Sequence, residues 1–297
     1  MGVSHLYILV VLVIYALIPL ILDGVERKLR AVLQSRIGPP ITQTLYDLLK
    51  LALVKETKIT PTTLYATFTL VSAVATSLAS LYYTVIYIIS GDLSSIFYSI
   101  ALLATSTTAH TITPLLVPNP YSIIGGMREV VLAIVNEAAL ILSISLYATI
   151  VERLIAGGSS PVLLVATTLV VVVALISSYV ASGRVPFDIA EAEAELASGV
   201  LIEFSGRVLA LNIYSLLLRR LASKLLVLAP TLALISGHGA STLILSLLAL
   251  PALWTVYATV AVVLGRSRVD LAPLTLAKIY IVLITISITV LLVVTRA

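Results

Sequence analysis

The sequence predicts an all-α polytopic membrane protein, a single integral membrane domain with about eight transmembrane helices and amphipathic or acidic loops between them. Three observations predict it. Hydrophobic residues make up 60% of the 297-residue chain, and mean hydropathy is +1.15. Charged residues are 11%, where soluble domains carry about 25%. Apolar runs of the length that crosses a hydrocarbon core of about 30 Å recur along the chain.

The first span is expected over residues 3–22, which carry no formal charge. No Lys or Arg precedes the run and no small-residue cleavage site follows it, so it reads as a retained helix and not a signal peptide. Residues 23–58 are the most basic long segment, with seven of the 18 Lys and Arg residues. Gly38-Pro39-Pro40 breaks it. Beyond the break, Ile41 to Lys55 puts Leu45, Leu48, Leu49 and Ala52 on one face, which predicts an amphipathic helix on the membrane surface or against a partner.

The second span is expected over 65–90 and the third over 95–117. The third holds Pro114 and, around Thr108 and His110, polar residues of the kind that hydrogen-bond to neighbouring helices. Residues 117–126 read as a turn from their Pro, Asn and Gly content. The fourth span, 130–151, follows Arg128 and Glu129 and carries Glu137 about 10 Å along its axis. The fifth runs over 161–182. The sixth ends near Ser236 and has two possible starts. From about Leu217, Arg219 and Arg220 lie at the boundary and Lys224 a turn deeper. From Gly206, the helix is long and keeps the basic residues inside as counter-charges. The seventh span is expected over 241–264, and the eighth over 279–294 after a loop with Arg266, Arg268, Asp270 and Lys278.

With the N-terminus outside, eight spans put loops at about 23–60, 118–129, 183–207 and 265–278 in the cytoplasm. Lys and Arg then number 13 in those loops against 2 outside. That bias predicts the orientation, in a cell membrane, with the acidic loop cytoplasmic.

Arg184 to Gly206 is the most acidic stretch. It holds Asp188, Glu191, Glu193, Glu195 and Glu203, five of the 14 acids. On a helix, Asp188, Glu191 and Glu195 would share one face. Ionisable groups next to hydrocarbon are costly and mark ion or proton routes; the competing reading is a solvated acidic loop. Glu137, inside a span, extends the same argument. The net charge of +4 comes mostly from loops and gives no reason to expect nucleic acid. No cysteine is present, which excludes disulfides and Cys-ligated iron–sulfur clusters within this chain. His5, His110 and His238 lie too far apart in sequence for a metal site and read as helix-end or packing residues.

Three stretches resemble a known family. Glu26-Arg27-Lys28, LQSRIGPP (Leu33 to Pro40) and LYDLLKLALVKE (Leu45 to Glu56) are similar to the first cytoplasmic loop of the NADH dehydrogenase subunit 1 family, which belongs to respiratory complex I, the NADH:quinone oxidoreductase. PFDIAEAEAEL with GVLIEFSG, Pro186 to Gly206, is similar to that family's acidic loop. GGMREVVLAIVNEAALIL, Gly125 to Leu142, looks closer to the membrane subunits of membrane-bound [NiFe] hydrogenases and formate hydrogenlyase. Ser198-Gly199-Val200-Leu201 departs from the Glu-Gly-Pro-Leu common in the hydrogenase branch, and Phe204 stands where Tyr is usual.

The resemblance implies a non-redox membrane subunit. It would anchor a hydrophilic arm and couple its redox reaction to proton or sodium translocation, with Glu129, Glu137, Asp188, Glu191, Glu193, Glu195 and Glu203 as the ion path. Arg27, Lys28, Arg36, Asp47 and Arg128 would dock the arm or balance charge. The implied partners are hydrogenase-like large and small subunits, antiporter-like subunits and small membrane subunits. Nickel–iron and iron–sulfur centres would sit in those partners and no cofactor in this chain. A quinone would bind if the chain instead follows the quinone-reducing branch. A stand-alone ion-coupled transporter is the reading from a different class.

Overall fold

A computed structural model describes residues 5–55, 60–155, 161–190 and 199–296. The described residues fold into nine α-helices and two 3-10 turns, with no strand. The helices are α1 (His5–Leu33), α2 (Gln43–Leu53), α3 (Pro61–Ser90), α4 (Leu93–Ile112), α5 (Pro120–Ile155), α6 (Pro161–Val180), α7 (Gly206–Ser236), α8 (Ala240–Val263) and α9 (Leu271–Arg296). Six of them, α1, α3, α5, α6, α8 and α9, are long and apolar enough to cross a membrane. The chain is thus a multi-pass membrane protein. Of the eight crossings the sequence predicts, the two in α4 and α7 are not supported on length and composition. Ser, Thr and His dilute α4, and Arg207, Arg219, Arg220 and Lys224 charge α7.

Glu26 near the end of α1 meets Arg184 after α6, Ser267 after α8 meets Pro186, and Asn119 before α5 meets Glu203 before α7, which gathers these helix ends at one charged face. There α1 continues past Leu22 for three turns. Asp23, Glu26, Arg27 and Arg30 follow at helical spacing and pair along the helix, Arg27 Nε to Asp23 at 3.1 Å and Arg30 Nη2 to Glu26 at 3.2 Å. The predicted amphipathic helix appears as α2, folded back against α1. The approach depends on Gly24. A Cβ there would lie 1.7 Å from the Ile41 carbonyl oxygen, so no side chain fits.

Local chemistry sets the other ends. Thr60 and Thr63 form a capping box at the start of α3 and Pro61 takes its first turn, where a missing N–H costs nothing. Gly91 closes α3 with φ 71°. Asp92 caps α4 through the Ser94 N–H.

Three boundaries differ from the sequence reading. The predicted turn at 117–126 is mostly helix, because α5 begins at Pro120, with Asn119 accepting the Tyr121 N–H at 2.9 Å. Gly125 and Gly126 serve packing. A Cβ on Gly125 would meet the Ala190 oxygen at 2.7 Å, and one on Gly126 would meet Leu115 at 2.8 Å. The helix expected as the sixth span takes the longer alternative and starts at Gly206 as α7. Finally, α9 starts at Leu271, so Lys278 lies inside the helix and not in the loop.

The core gathers around α7, with Leu218, Leu221, Leu225 and Leu226 fully buried beside Leu81, Val85 and Trp254. Hydroxyl pairs join α3 to α4: Ser77 with Ser106 at 2.6 Å, Ser80 with Ser99 at 2.9 Å, and Thr84 with Ser99 at 2.6 Å. Small residues with paired hydroxyls let membrane helices approach closely. Leu9, Leu17, Leu248, Leu274 and Ile281 project outward, as a lipid-facing surface requires.

Candidate functional site

Near the charged face, α4, α5 and α7 each turn polar residues toward one another at helical spacing. Helix α4 contributes Thr107 and His110, α5 contributes Glu129, Asn136 and Glu137, and α7 contributes Asn212, Ser215 and Arg219. A cavity of about 70 Å³ lies among them, lined by Thr107, His110, Glu129, Asn136, Glu137, Asn212 and Arg219. Gly183, Phe187, Asp188, Ile189 and Ala190, the first part of the acidic loop, form its roof.

Inside, Arg219 Nη2 is 3.7 Å from Glu129 Oε1, a loose ion pair. The Thr107 hydroxyl donates to the Leu103 carbonyl at 3.1 Å, and Glu137 Oε2 has no protein partner. Asn212 Nδ2 and Arg219 Nε are also buried without one. Asn136 is held between elements, donating to the Ser177 carbonyl at 3.0 Å and accepting from Tyr280 Oη at 2.9 Å. The wall therefore offers two carboxylates, one guanidinium and several uncommitted polar atoms in an otherwise apolar setting. Such a site handles charge, because unpaired polar groups in a low-dielectric interior demand an occupant or a change of protonation.

The roof is strapped down. Arg184 forms a two-pronged bond with Glu26 of α1, through Nε to Oε1 at 2.9 Å and Nη2 to Oε2. Trp254 Nε1 donates to the same carboxylate at 2.8 Å. Arg220 Nε donates to the Ser182 carbonyl at 2.6 Å. Tyr179 Oη reaches the Val185 carbonyl. Ser267 donates from N and Oγ to the Pro186 carbonyl, at 3.0 and 2.6 Å. Lys224, fully buried, donates to the Arg220 carbonyl at 2.9 Å and lies over the Trp254 ring, 4.5 Å from its centre.

The predicted path residues separate into groups. Glu129 and Glu137 share the cavity. Asp188 lies in its roof, 2.8 Å from Arg266 Nη2; the chain there is not helical, so a shared helical face does not begin at Asp188. Glu203 stands apart, accepting from Asn119 Nδ2 at the start of α5. Glu191, Glu193 and Glu195 lie outside the described residues. Among the predicted docking residues, Arg27 Nη1 and Asp47 Oδ2 pair at 2.8 Å and tie α1 to α2. Lys28 and Arg36 are exposed. Arg128 lines an open cleft with Arg266 and Arg268.

Sequence reasoning missed the roles of His110 and Asn212 and the Glu26–Arg184 pair. The two residues of that pair are 158 positions apart, and no local pattern joins them. His110 had a signal, since Thr107 precedes it by three residues and Thr111 follows it on the buried side of α4.

The fold and the cavity define a helical membrane protein with an ionisable interior beneath a strapped loop. The sequence profile of the NADH dehydrogenase family matches residues 6–294, and the chain belongs to that family. It is 30% identical over 238 residues to hydrogenase-4 component C of Escherichia coli, covering 74% of this chain and 72% of that one. It is 27% identical to formate hydrogenlyase subunit 4 of the same organism, covering 68% and 69%. The corresponding NADH-quinone oxidoreductase component of Bacillus thuringiensis, NuoH, is 30% identical, covering 67% and 65%. A chain in the structure of the membrane-bound sulfane sulfur reductase, an archaeal respiratory membrane complex, superposes with TM-score 0.75 at 21% identity, covering 97% of this chain and all of the other. At that identity the likeness is one of fold.

Proposed function

We propose that the chain is the non-redox membrane subunit of a complex I-like or membrane-bound [NiFe] hydrogenase complex. It anchors a hydrophilic electron-transfer arm and couples that arm's reaction to proton or sodium movement. The observation that carries this reading is the cavity holding Glu129, Glu137 and Arg219 beneath the strapped start of the acidic loop. Relatives named as components of hydrogenase-4, formate hydrogenlyase and NADH-quinone oxidoreductase support it.

On this reading the charged face is cytoplasmic, the N-terminus lies outside, and the cell membrane holds the chain. Hydrogenase-like large and small subunits dock at the charged face, through Lys28, Arg36 and Arg128, and carry the nickel–iron and iron–sulfur centres. Antiporter-like and small membrane subunits adjoin the helices. Ions enter past Asp188, Glu191, Glu193 and Glu195, with Glu203 at the rim, and reach Glu129 and Glu137. A charge change in the docked arm shifts the loop or its charges, and the cavity responds.

The test is Glu137→Gln in the assembled complex, reconstituted in vesicles. Ion movement per electron should fall at least tenfold with the subunits still co-purifying. Ion movement at the wild-type ratio would refute the relay. An absence of co-purifying subunits from the wild-type chain would favour a stand-alone transporter.

A second reading has its own observation. An apolar groove of about 450 Å³ lies between α1, α2 and α7, walled by Leu20, Leu45, Leu48, Leu49, Leu211 and Tyr214. Its walls fit the apolar tail of a quinone, with Arg207 at the rim. Reduction of an added quinone by the purified complex, blocked by Leu48→Trp, would favour this branch.

A further inference from the structure

His110 enters the cavity from α4, a helix that contributes no acid to it. Its ring is buried, and Nδ1 lies 2.8 Å from Ser215 Oγ. Ser215 has a single hydroxyl hydrogen, and it donates that hydrogen to the Asn212 carbonyl at 2.8 Å. Toward His110 the oxygen can therefore only accept, so Nδ1 carries the hydrogen. In the neutral ring Nε2 is then a bare acceptor, and among the described residues it makes no hydrogen bond. Ser215 thus fixes the tautomer with the basic nitrogen free.

We propose that His110 is a proton-accepting member of the cavity, exchanging a proton with Glu137 through cavity water. This rests on the reading of the cavity as part of an ion path. The volume exceeds the roughly 10–15 Å³ that one water occupies by this measure. Asn212 Nδ2 and Arg219 Nε can donate to such water, and Glu137 Oε2 can accept from it. In the exchange an O–H bond of the Glu137 carboxyl breaks and an N–H bond forms at His110 Nε2, with the water passing the proton.

Charge balance permits the step. The charged and titratable groups acting on the ring are Glu129 and Glu137 of α5, Arg219 and Arg220 of α7 and Asp188 of the roof, Arg220 with its Nε given to the Ser182 carbonyl. Asp188 is already paired with Arg266. With the proton on Glu137, Glu129 and Arg219 cancel. With the proton on His110, two carboxylates face a guanidinium and an imidazolium and again cancel. The proton moves within the cavity, so the step leaves the total buried charge unchanged.

The test is His110→Asn in the reconstituted complex. The Asn amide nitrogen stands where Nδ1 stood and keeps the donation to Ser215, but Nε2 is gone. Proton movement per electron should fall at least tenfold with the subunits assembled and electron transfer intact. A ratio equal to wild type would overturn the proposal and assign His110 to packing. Glu137→Gln is run beside it. Wild-type ratios in both variants sink the ion-path reading itself, whereas a loss in Glu137→Gln alone sinks only the role of His110. If His110→Asn fails to assemble, Ser215→Ala decides. It removes one oxygen and releases the tautomer, so proton movement should slow several-fold, and an unchanged ratio overturns the proposal.

Discussion

Replacing Glu26 by Ala removes the carboxylate that balances a buried cationic cluster. Glu26 is 3% exposed and Arg184 also 3%. Glu26 accepts from Arg184 twice, from Trp254 once and from Arg30 at 3.2 Å. Without it, Arg184 loses the partner of Nε and Nη2, and its Nη1 already has none. Lys224, 0% exposed, is left beside a second uncompensated cation. Truncating one side of such a pair costs roughly 3–5 kcal/mol, mostly because a buried charge is stranded. The stranded Trp254 N–H belongs to that total. The loss should appear in equilibrium unfolding of the detergent-solubilised chain, and as faster protease cleavage in the acidic loop that Arg184 anchors. Glu26→Ala with Lys224→Met should recover at least about 1 kcal/mol, since one of the stranded cations is gone and the methionine fits against the Trp254 ring. A loss below about 1 kcal/mol in Glu26→Ala, or no recovery in the double variant, would refute the view that this carboxylate balances the cluster.

Two further outcomes test the surface and the roof. Arg27 and Asp47 are 41% and 38% exposed at their side chains, so Arg27→Ala should cost the chain less than about 1 kcal/mol in unfolding; a severe loss of co-purifying subunits at that small cost would mark Arg27 as a docking contact. Gly125→Ala places a methyl 2.7 Å from the Ala190 oxygen, which must push the roof off α5, and the variant should show faster cleavage in the loop, while Gly265→Ala, which adds its methyl in open space, should not.

Apolar run length and composition made the membrane helices legible, and the acids were legible as anomalies. Glu137 stood out because carboxylates are rare in apolar spans, while Glu129 was expected just before the span; both line the cavity. Boundaries failed where one residue serves two purposes. Pro, Asn and Gly at 117–126 signal a turn, yet Pro120 starts a helix and Gly125 and Gly126 give room to neighbouring backbone and side chains. The start of α7 stayed open because Arg219, Arg220 and Lys224 read equally as boundary residues or buried counter-charges. Tertiary partners decided it: Glu129, the Ser182 carbonyl and the Trp254 ring. The Glu26–Arg184 latch was illegible for a different reason. Its members lie at the end of α1 and in the segment after α6, 158 positions apart, and meet beside Trp254 of α8 only in the folded chain.

The cavity and the latch meet at adjacent residues of one helix. Arg219 points from α7 into the cavity toward Glu129, and Arg220 points to the loop, holding the Ser182 carbonyl. The Arg220 carbonyl also receives Lys224, which stacks on the Trp254 that bonds Glu26. Adjacency alone is no coupling; a shared element with contacts on both sides is needed. Here one turn of α7 supplies it. The contacts differ in firmness, 2.6 Å on the loop side against 3.7 Å on the cavity side. A displacement of residues 182–184 that drags Arg220 would therefore disturb the looser pair first. Glu129 would lose or gain its guanidinium while the latch stayed intact. Arg220→Gln, which keeps a donor for Ser182 and removes the charge, should preserve the loop's protease resistance. Arg220→Ala should lose it and reduce proton movement together, and a loss of only one of the two would show that the loop and the cavity act separately.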